Sequence, residues 1–380
     1  MTENRILRTT LITEPTRESL IAAANSAAAY QAAAVSGNTA AAYTSAVRHF
    51  QYDWGKVLPT TSDVVCDYLA AYAKKLSVRT LEVRLAGISA WHKHHEFTDP
   101  TKAHEVKLTM KGIRKLHMKP PKKARPLSLD LVRKIVASLD AQIVSAVHGM
   151  QQSASSQGGP VSDLAGRKKL RKQLLRALRD KALVLLGFWR AFRSDELSRL
   201  TVENTHAIKG EQIEIYLPFS KTDRSASGQT YRMEALRELC PVSAYVDWIE
   251  SAGITQGPVF RKIHHWGDLD ELGIASKSIG PLLTEMCVNA GLSAASISTH
   301  SMRHGFANWA VDEGWDLDSL MKFVGWKSHK NASGYVRAKF DFGALSLAQK
   351  GQSTRIHRSE AEALGIGQTF MGIPENIDES

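Results

Sequence analysis

One stretch divides the chain before any fold is considered. Residues 107–125 carry Lys107, Lys111, Arg114, Lys115, Lys119, Lys122, Lys123 and Arg125, with no acidic residue among them. Pro120 and Pro121 stand near its end and Pro126 follows it. Proline fixes its own φ and drives the residue before it toward extended backbone. A segment so uniformly cationic has no place in an apolar core. Residues 119–126 are therefore predicted to be an extended linker. With 380 residues in all, and domains of about 100–200 residues each, the chain reads as two domains. The expected boundaries are a flexible segment at 1–37, a helical domain at 38–118, the linker at 119–126, a second domain at 127–350 and a tail at 351–380.

The pattern on either side of the linker gives the fold class. Val47, Phe50 and Trp54 recur at helical spacing, with Tyr43 one turn earlier. Thr61 is placed to cap a second helix with Val64, Val65, Tyr68, Leu69 and Tyr72 on one face. Ser77 is placed to cap a third, with Val78, Leu81, Leu85, Ile88 and Trp91 inward and Arg79 and Arg84 outward. Residues 106–116 read as a fourth. Beyond the linker, Ser128 opens a helix bearing Leu131, Ile135 and Leu139. Residues 151–166, rich in Ser, Gly and Gln, are expected to form a mobile loop before a long helix over roughly 167–188. Residues 212–217 and 229–233 read as two short strands around a Ser/Gly/Asp turn, and from Pro241 onward the pattern is helical. The expectation is a mostly α protein with a small antiparallel β element: a helical domain followed by a mixed α/β domain.

Charge narrows the partner. Forty-nine Lys and Arg against 38 Asp and Glu leave +11, which suits a polyanion, nucleic acid first among them, or serves solubility alone. By the same token the linker is either a strap along a DNA backbone or a solvated hinge. The candidate DNA contacts are Arg48, Arg79, Arg84, Lys111, Arg114, Lys115, Lys122, Lys123 and Arg125. Cys66, Cys240 and Cys287 are few, odd in number and far apart, which points to a reducing compartment. Charged residues interrupt the N-terminus where a signal peptide needs an apolar stretch. No apolar run approaches the ~20 residues of a membrane span. A cytoplasmic, nucleoid-associated protein is expected.

Four segments of the second domain carry potential chemistry, and each is weak alone. Arg193 and Glu196 stand three apart and share a helix face, either as a preorganised fork for an oxyanion or as an ordinary ion pair. Lys221 follows a strand and can reach into a cleft to donate a proton. His300 and Arg303 are one turn apart at a helix start, where unpaired N–H groups suit a phosphate. Tyr335 follows Gly325 and Trp326 in a basic, Gly-containing stretch, where nearby cations favour a phenolate over its ordinary pKa of ~10. Its bland alternative is a packed ring with a wet hydroxyl.

Taken together and in this order, Arg193 with Glu196, Lys221, His300 with Arg303, Gly325-Trp326 and Tyr335 resemble the tyrosine recombinase (phage integrase-like) family. The Gly-Trp pair is most similar to its Cre branch. The likeness spans residues 38–345 and implies a two-domain DNA clamp, with residues 38–118 as core-binding domain and 127–350 as catalytic domain. It implies that Tyr335 attacks the scissile phosphate to form a 3′-phosphotyrosyl bond. Arg193 and Arg303 would grip the non-bridging oxygens, and His300 would assist proton transfer. Trp326 would donate its indole N–H, Lys221 would protonate the leaving 5′-oxygen, and Glu196 would orient Arg193 or His300. Arg190 lies near the first motif but lacks the offset to Glu196.

The covalent bond conserves the phosphodiester energy, so no ATP is implied, and no acidic cluster is spaced like a two-metal site, so no metal or other cofactor is implied either. His92, His94, His95 and Glu96 resemble a metal cluster only superficially, because no partner ligands stand at recognised spacings. The resemblance further implies double-stranded DNA with inverted half-sites as partner. The chain would be monomeric without DNA and tetrameric on it, with accessory DNA-binding proteins possible and no membrane. Residues 340–349 would exchange between protomers. The acidic tail, with Glu360, Glu362, Glu375, Asp378 and Glu379, is either flexible or a regulatory lid. A telomere resolvase, a type IB topoisomerase and an inactive DNA-binding homologue share enough of the pattern to stand as alternatives.

Overall fold

The computed structural model describes residues 30, 35–120, 124–155, 162–218, 228–326 and 328–333. Several sequence readings lie outside the described residues: most of the segment before 35, Lys122, Lys123, Lys221, Tyr335, residues 340–349 and the acidic tail. The chain divides into two compact units, Met1–Lys122 and Lys123–Ser380.

The first unit is helical, as expected. Its elements are α1 (Gly37–Arg48), α2 (Ser62–Tyr72), α3 (Val78–His94) and α4 (His104–His117). Ser36 caps α1 and Ser77 caps α3, the latter accepting from Thr80 N at 3.0 Å. Thr61 flanks α2 but makes no side-chain cap bond. Past Arg48 the chain widens into a π turn, His49–Asp53, where Phe50 is buried and Nδ1 of His49 lies 2.8 Å from the Tyr68 hydroxyl. Phe50, Val65, Tyr68, Leu69, Leu81, Ile88, Val106 and Met110 are the core. Each such apolar side chain contributes roughly 1.5–3 kcal/mol by leaving water.

One reading of this unit is corrected. Arg84 does not point outward. Its Nη1 donates to the Ser45 hydroxyl at 3.0 Å and to the Ser45 carbonyl, so it ties α3 to α1. A long side chain between two crossing helices satisfies backbone acceptors that the helix period alone does not reveal. His92 is fully buried, its Nε2 accepting from Thr60 N at 3.1 Å and its Nδ1 2.9 Å from the Ile88 carbonyl. Gly112, exposed in α4 with open space around it, offers a direct stability test. Gly112→Ala is expected to stabilise this unit by about 1 kcal/mol, the helix-propensity gain. A thermal melt followed by circular dichroism checks it, and a lowered Tm contradicts it.

The second unit opens with Arg125, whose N–H donates to Ser296 O at 2.9 Å, and Leu127, whose N–H donates to Ser301 O at 2.9 Å. The described end of the linker is thus irregular but held. Then come α5 (Leu129–Ser155) and α6 (Ser162–Trp189), an antiparallel pair. The predicted loop at 151–166 is mostly helix: α5 runs on through Ser155 and α6 begins at Ser162. Gly149 lies so close to Leu170 that a methyl group there would come within 2.9 Å of it. Side-by-side packing of the two helices outweighs the loop-like composition, and Gln and Ala are good helix formers besides. The second half of α6 is buried on every side from Ala182 to Phe188. That makes it the central rod of the unit.

After α7 (Ser194–Ser198), strands β1 (Thr205–Ile208), β2 (Gln212–Leu217) and β3 (Gln229–Glu234) form an antiparallel sheet in the order β1-β2-β3. Two of these strands are predicted from the sequence, and β1 is additional. After α8 (Pro241–Ala252) comes a further hairpin, β4 (Arg261–Ile263) with β5 (Leu269–Gly273), where a helical pattern is predicted. Short strands with exposed, charged residues leave little alternation to read. Helices α9 (Ser276–Asn289), α10 (Thr299–Asp312), α11 (Leu317–Val324) and α12 (His329–Ser333) follow. The architecture is mostly α with small antiparallel sheets. Among the described residues no helix is long and apolar enough to cross a membrane.

Candidate active site

The site begins where α6 ends. Arg190 N still bonds to Leu186 O, but Ala191 turns to φ 51°, a left-handed conformation, and is fully buried. For a residue with a Cβ this costs roughly 1–2 kcal/mol, a strain that collects at functional sites. The turn aims the Ala191 carbonyl across the unit at α10, where Arg303 Nη1 donates to it at 2.7 Å. It also places Arg193 just ahead of α7.

Arg193 and Glu196 are joined twice. The Arg193 N–H donates to Glu196 Oε2 at 2.8 Å, and Arg193 Nη1 donates to Oε1 at 2.6 Å. The carboxylate thus caps the short helix and holds the guanidinium. It is itself 4% exposed. From α10, Arg303 Nη1 comes within 3.8 Å of Glu196 Oε2. The Arg303 side chain is 2% exposed, held further by the Val324 carbonyl at 3.2 Å. Two arginines far apart in sequence therefore meet on one buried carboxylate.

Gly325 closes α11 with φ 73°, a left-handed cap that favours glycine, and Trp326 follows. Trp326 is buried, and the Arg303 guanidinium lies 5.5 Å from its ring centroid. His300 is exposed in the first turn of α10, one turn before buried Arg303. Ser298 and Ser301 cap each other there, with Ser298 N donating to Ser301 Oγ at 3.0 Å. The structure brings together Arg193, Glu196, Arg303 and Trp326. Lys221 and Tyr335 lie outside the described residues.

Two further residues line this cluster without a sequence signal that distinguishes them. Tyr231 on β3 is buried, donates to Gln229 Oε1 at 2.9 Å and meets Phe192 edge-on. Burial first, then Glu196, push its phenol pKa up, while Arg190, Arg303 and Arg193 oppose that. Arg190, set aside on spacing, packs between the rings of Tyr231 and Phe323, at 4.4 and 3.9 Å.

The candidate DNA contacts of the first unit are placed variously. Arg48, Lys111 and Lys115 are exposed. Arg79 and Arg114 both engage Glu82, at 3.2 and 2.9 Å. The Arg114 hydrogen bond is the main force holding the Glu82 carboxyl below its usual range, against some burial. Arg84 is committed to Ser45, and Arg125, in the second unit, is exposed.

Residues 168–341 match the model of the phage integrase family. An "Integrase/recombinase xerD homolog" from Selenomonas ruminantium is 26% identical over 293 residues, covering 75% of this chain and 76% of that protein. Solved structures similar to the chain include XerH site-specific recombinase bound to palindromic difH substrate, in a post-cleavage complex. It is 14% identical over 77% of this chain and 74% of that one, with a TM-score of 0.49. A lambda integrase dimer bound to a COC′ core site is 14% identical over 81% and 94%, at 0.48. The integrase family match runs from the basic first half of α6 past α12, and Arg193, Glu196, Arg303 and Trp326 all fall inside it.

Proposed function

We propose that this protein is a site-specific DNA recombinase that cuts and rejoins strands through a covalent bond to Tyr335. The observation that carries the reading is the convergence of Arg193 and Arg303 on Glu196. Two guanidiniums sharing one carboxylate leave a surplus positive charge in a half-dry site. That is what the extra negative charge of a phosphorane-like transition state requires. The second unit, with proposed catalytic limits 127–350, supplies the chemistry. The helical region 38–118 and the linker 119–126 bind DNA. Arg48, Lys111, Lys115, Lys122, Lys123 and Arg125 are the preferred backbone contacts, because Arg79, Arg84 and Arg114 have partners of their own.

In this reading the Tyr335 oxygen attacks phosphorus as the bond to the 5′-oxygen breaks. His300 assists removal of the phenol proton, and Lys221 donates a proton to the departing oxygen. Arg193 and Arg303 hold the non-bridging oxygens. Trp326 packs the site and donates its indole N–H, and Glu196 orients Arg193. Attack by a second 5′-hydroxyl on the phosphotyrosyl bond reverses the step on a new strand, so no ATP is consumed. The partner is double-stranded DNA with inverted half-sites. Two protomers occupy each site and four form the synapse, in the cytoplasm.

Covalent capture tests this. The full chain is mixed with nicked duplexes of randomised sequence, and adducts surviving detergent are digested and mapped by mass spectrometry. A nucleotide on Tyr335 is expected. The absence of any adduct, or attachment at another residue, overturns the reading.

A further inference from the structure

The residue passed over at the start of the first motif is the most unusual charge in the second unit. Arg190 is 6% exposed, and its Nε is buried without a hydrogen-bond partner. Among the described residues no carboxylate pairs with it. A buried cation is costly unless something of opposite sign offsets it. Here the offset is two aromatic faces, Tyr231 at 4.4 Å and Phe323 at 3.9 Å. Cation–π contact compensates in part but does not neutralise. Burial draws the Arg190 pKa down to about 10, with Arg303 acting in the same direction and Tyr231 and Glu196 against it. At neutral pH it remains charged.

Its surroundings say what the charge is for. The Tyr231 phenol is within electrostatic reach of Arg190, Arg193, Arg303 and Glu196. The Tyr231 hydroxyl also lies against Gly325, the residue before Trp326, so Arg190 sits beside the pair of arginines that share Glu196. Among the described residues its direct contacts are the two rings of this aromatic cage, and Glu196 acts on it only through the field.

We infer that Arg190 supplies a third positive charge to the phosphate site, held in place by Tyr231 and Phe323 and acting on the non-bridging oxygens from behind Arg193 and Arg303. The inference rests on the recombinase reading for the identity of the anion. The cage fixes the guanidinium without neutralising it, so its field is felt when a phosphate arrives and costs no rearrangement.

The test compares the full chain with Arg190→Met and Arg190→Lys on a duplex enriched by covalent capture. One version carries a phosphodiester at the scissile position, the other a neutral methylphosphonate. If the charge acts on the oxygens, Arg190→Met slows adduct formation on the phosphodiester by about tenfold or more, within the range for losing one such group. On the methylphosphonate it matches wild type, and Arg190→Lys retains the charge-dependent preference. Equal losses on both substrates assign Arg190 to packing alone and overturn the inference. A parallel titration with inorganic phosphate, read as the rise in Tm, needs no DNA and includes Arg193→Met as reference. A wild-type rise diminished in Arg190→Met supports the third charge, whether or not strand transfer is observed. An undiminished rise overturns it, and no rise in wild type removes the anion site and the inference together. If Arg190→Met fails to fold, the same comparisons are made with Arg190→Lys and Arg190→Gln.

Discussion

Gly305→Ala is expected to unfold the second unit or leave it far less stable. Gly305 lies in the middle of α10, where alanine ordinarily gains about 1 kcal/mol over glycine. Here the gain is overwhelmed. A methyl group at Gly305 would overlap the Leu127 carbonyl oxygen and sit 2.6 Å from its carbonyl carbon. Those atoms are backbone, and they are held: Leu127 N donates to Ser301 O at 2.9 Å, and the Leu127 side chain is fully buried. No rotamer change relieves the clash, so α10 and the segment entering α5 must part. Overpacking commonly costs ~1–3 kcal/mol, and more when backbone must move. We expect at least ~3 kcal/mol, a large share of the ~5–15 kcal/mol that stabilises a folded protein. Urea denaturation followed by tryptophan fluorescence measures it, because Trp309 and Trp315 lie in and just after α10. A midpoint equal to that of wild type would falsify the packing argument. The same helix carries Arg303, so a partly folded variant should also lose phosphate binding.

The second large effect is expected at Glu196. Glu196→Ala removes the carboxylate that holds the Arg193 backbone and guanidinium and lies 3.8 Å from Arg303. Two cations are then left near each other, one of them almost wholly buried. Removing one partner of a buried pair typically costs ~3–5 kcal/mol, because the remaining charge is stranded. The α7 cap is lost with it, which adds roughly 0.5–2 kcal/mol. The variant has a distinguishing signature. An anion that fills the vacated place stabilises the folded state by mass action, so added phosphate or sulfate should raise its Tm more than it raises that of wild type. Equal rises in the two proteins would show that Glu196 does not compensate the arginines.

These two sites differ in how far the sequence exposes them. The Arg193–Glu196 pair is legible because the two stand three residues apart, and the observed contacts are of that local kind, although Arg193 is the extended N-cap of α7 and shares no helix face with Glu196. Gly305 carries no local signal: its constraint is the backbone of a residue far away in the chain. The same contrast runs through the fold. Helices α1 to α4 follow from apolar periodicity, and β2 and β3 from short alternating runs flanking a turn. Strand β1 and the β4–β5 hairpin are too short and too charged to show alternation. The extension of α5 and α6 into a Ser/Gln/Gly-rich stretch depends on each helix having the other to pack against.

Arg190 shows the division at a single position. By itself the sequence determined the order and spacing of Arg193, Glu196, His300, Arg303, Trp326 and Tyr335, because these are relations along the chain. It also determined the cationic surplus, which suits a polyanionic partner or serves solubility alone. Only the tertiary structure decided that Arg84 ties two helices together and that Arg303 is anchored on the Ala191 carbonyl. It alone placed Arg190 between two rings beside the Arg193–Glu196–Arg303 cluster. The reason is the range of the forces. Helical period and capping act within a turn and leave a pattern in neighbouring residues. The desolvation and field at a buried guanidinium depend instead on which distant side chains the packing brings against it.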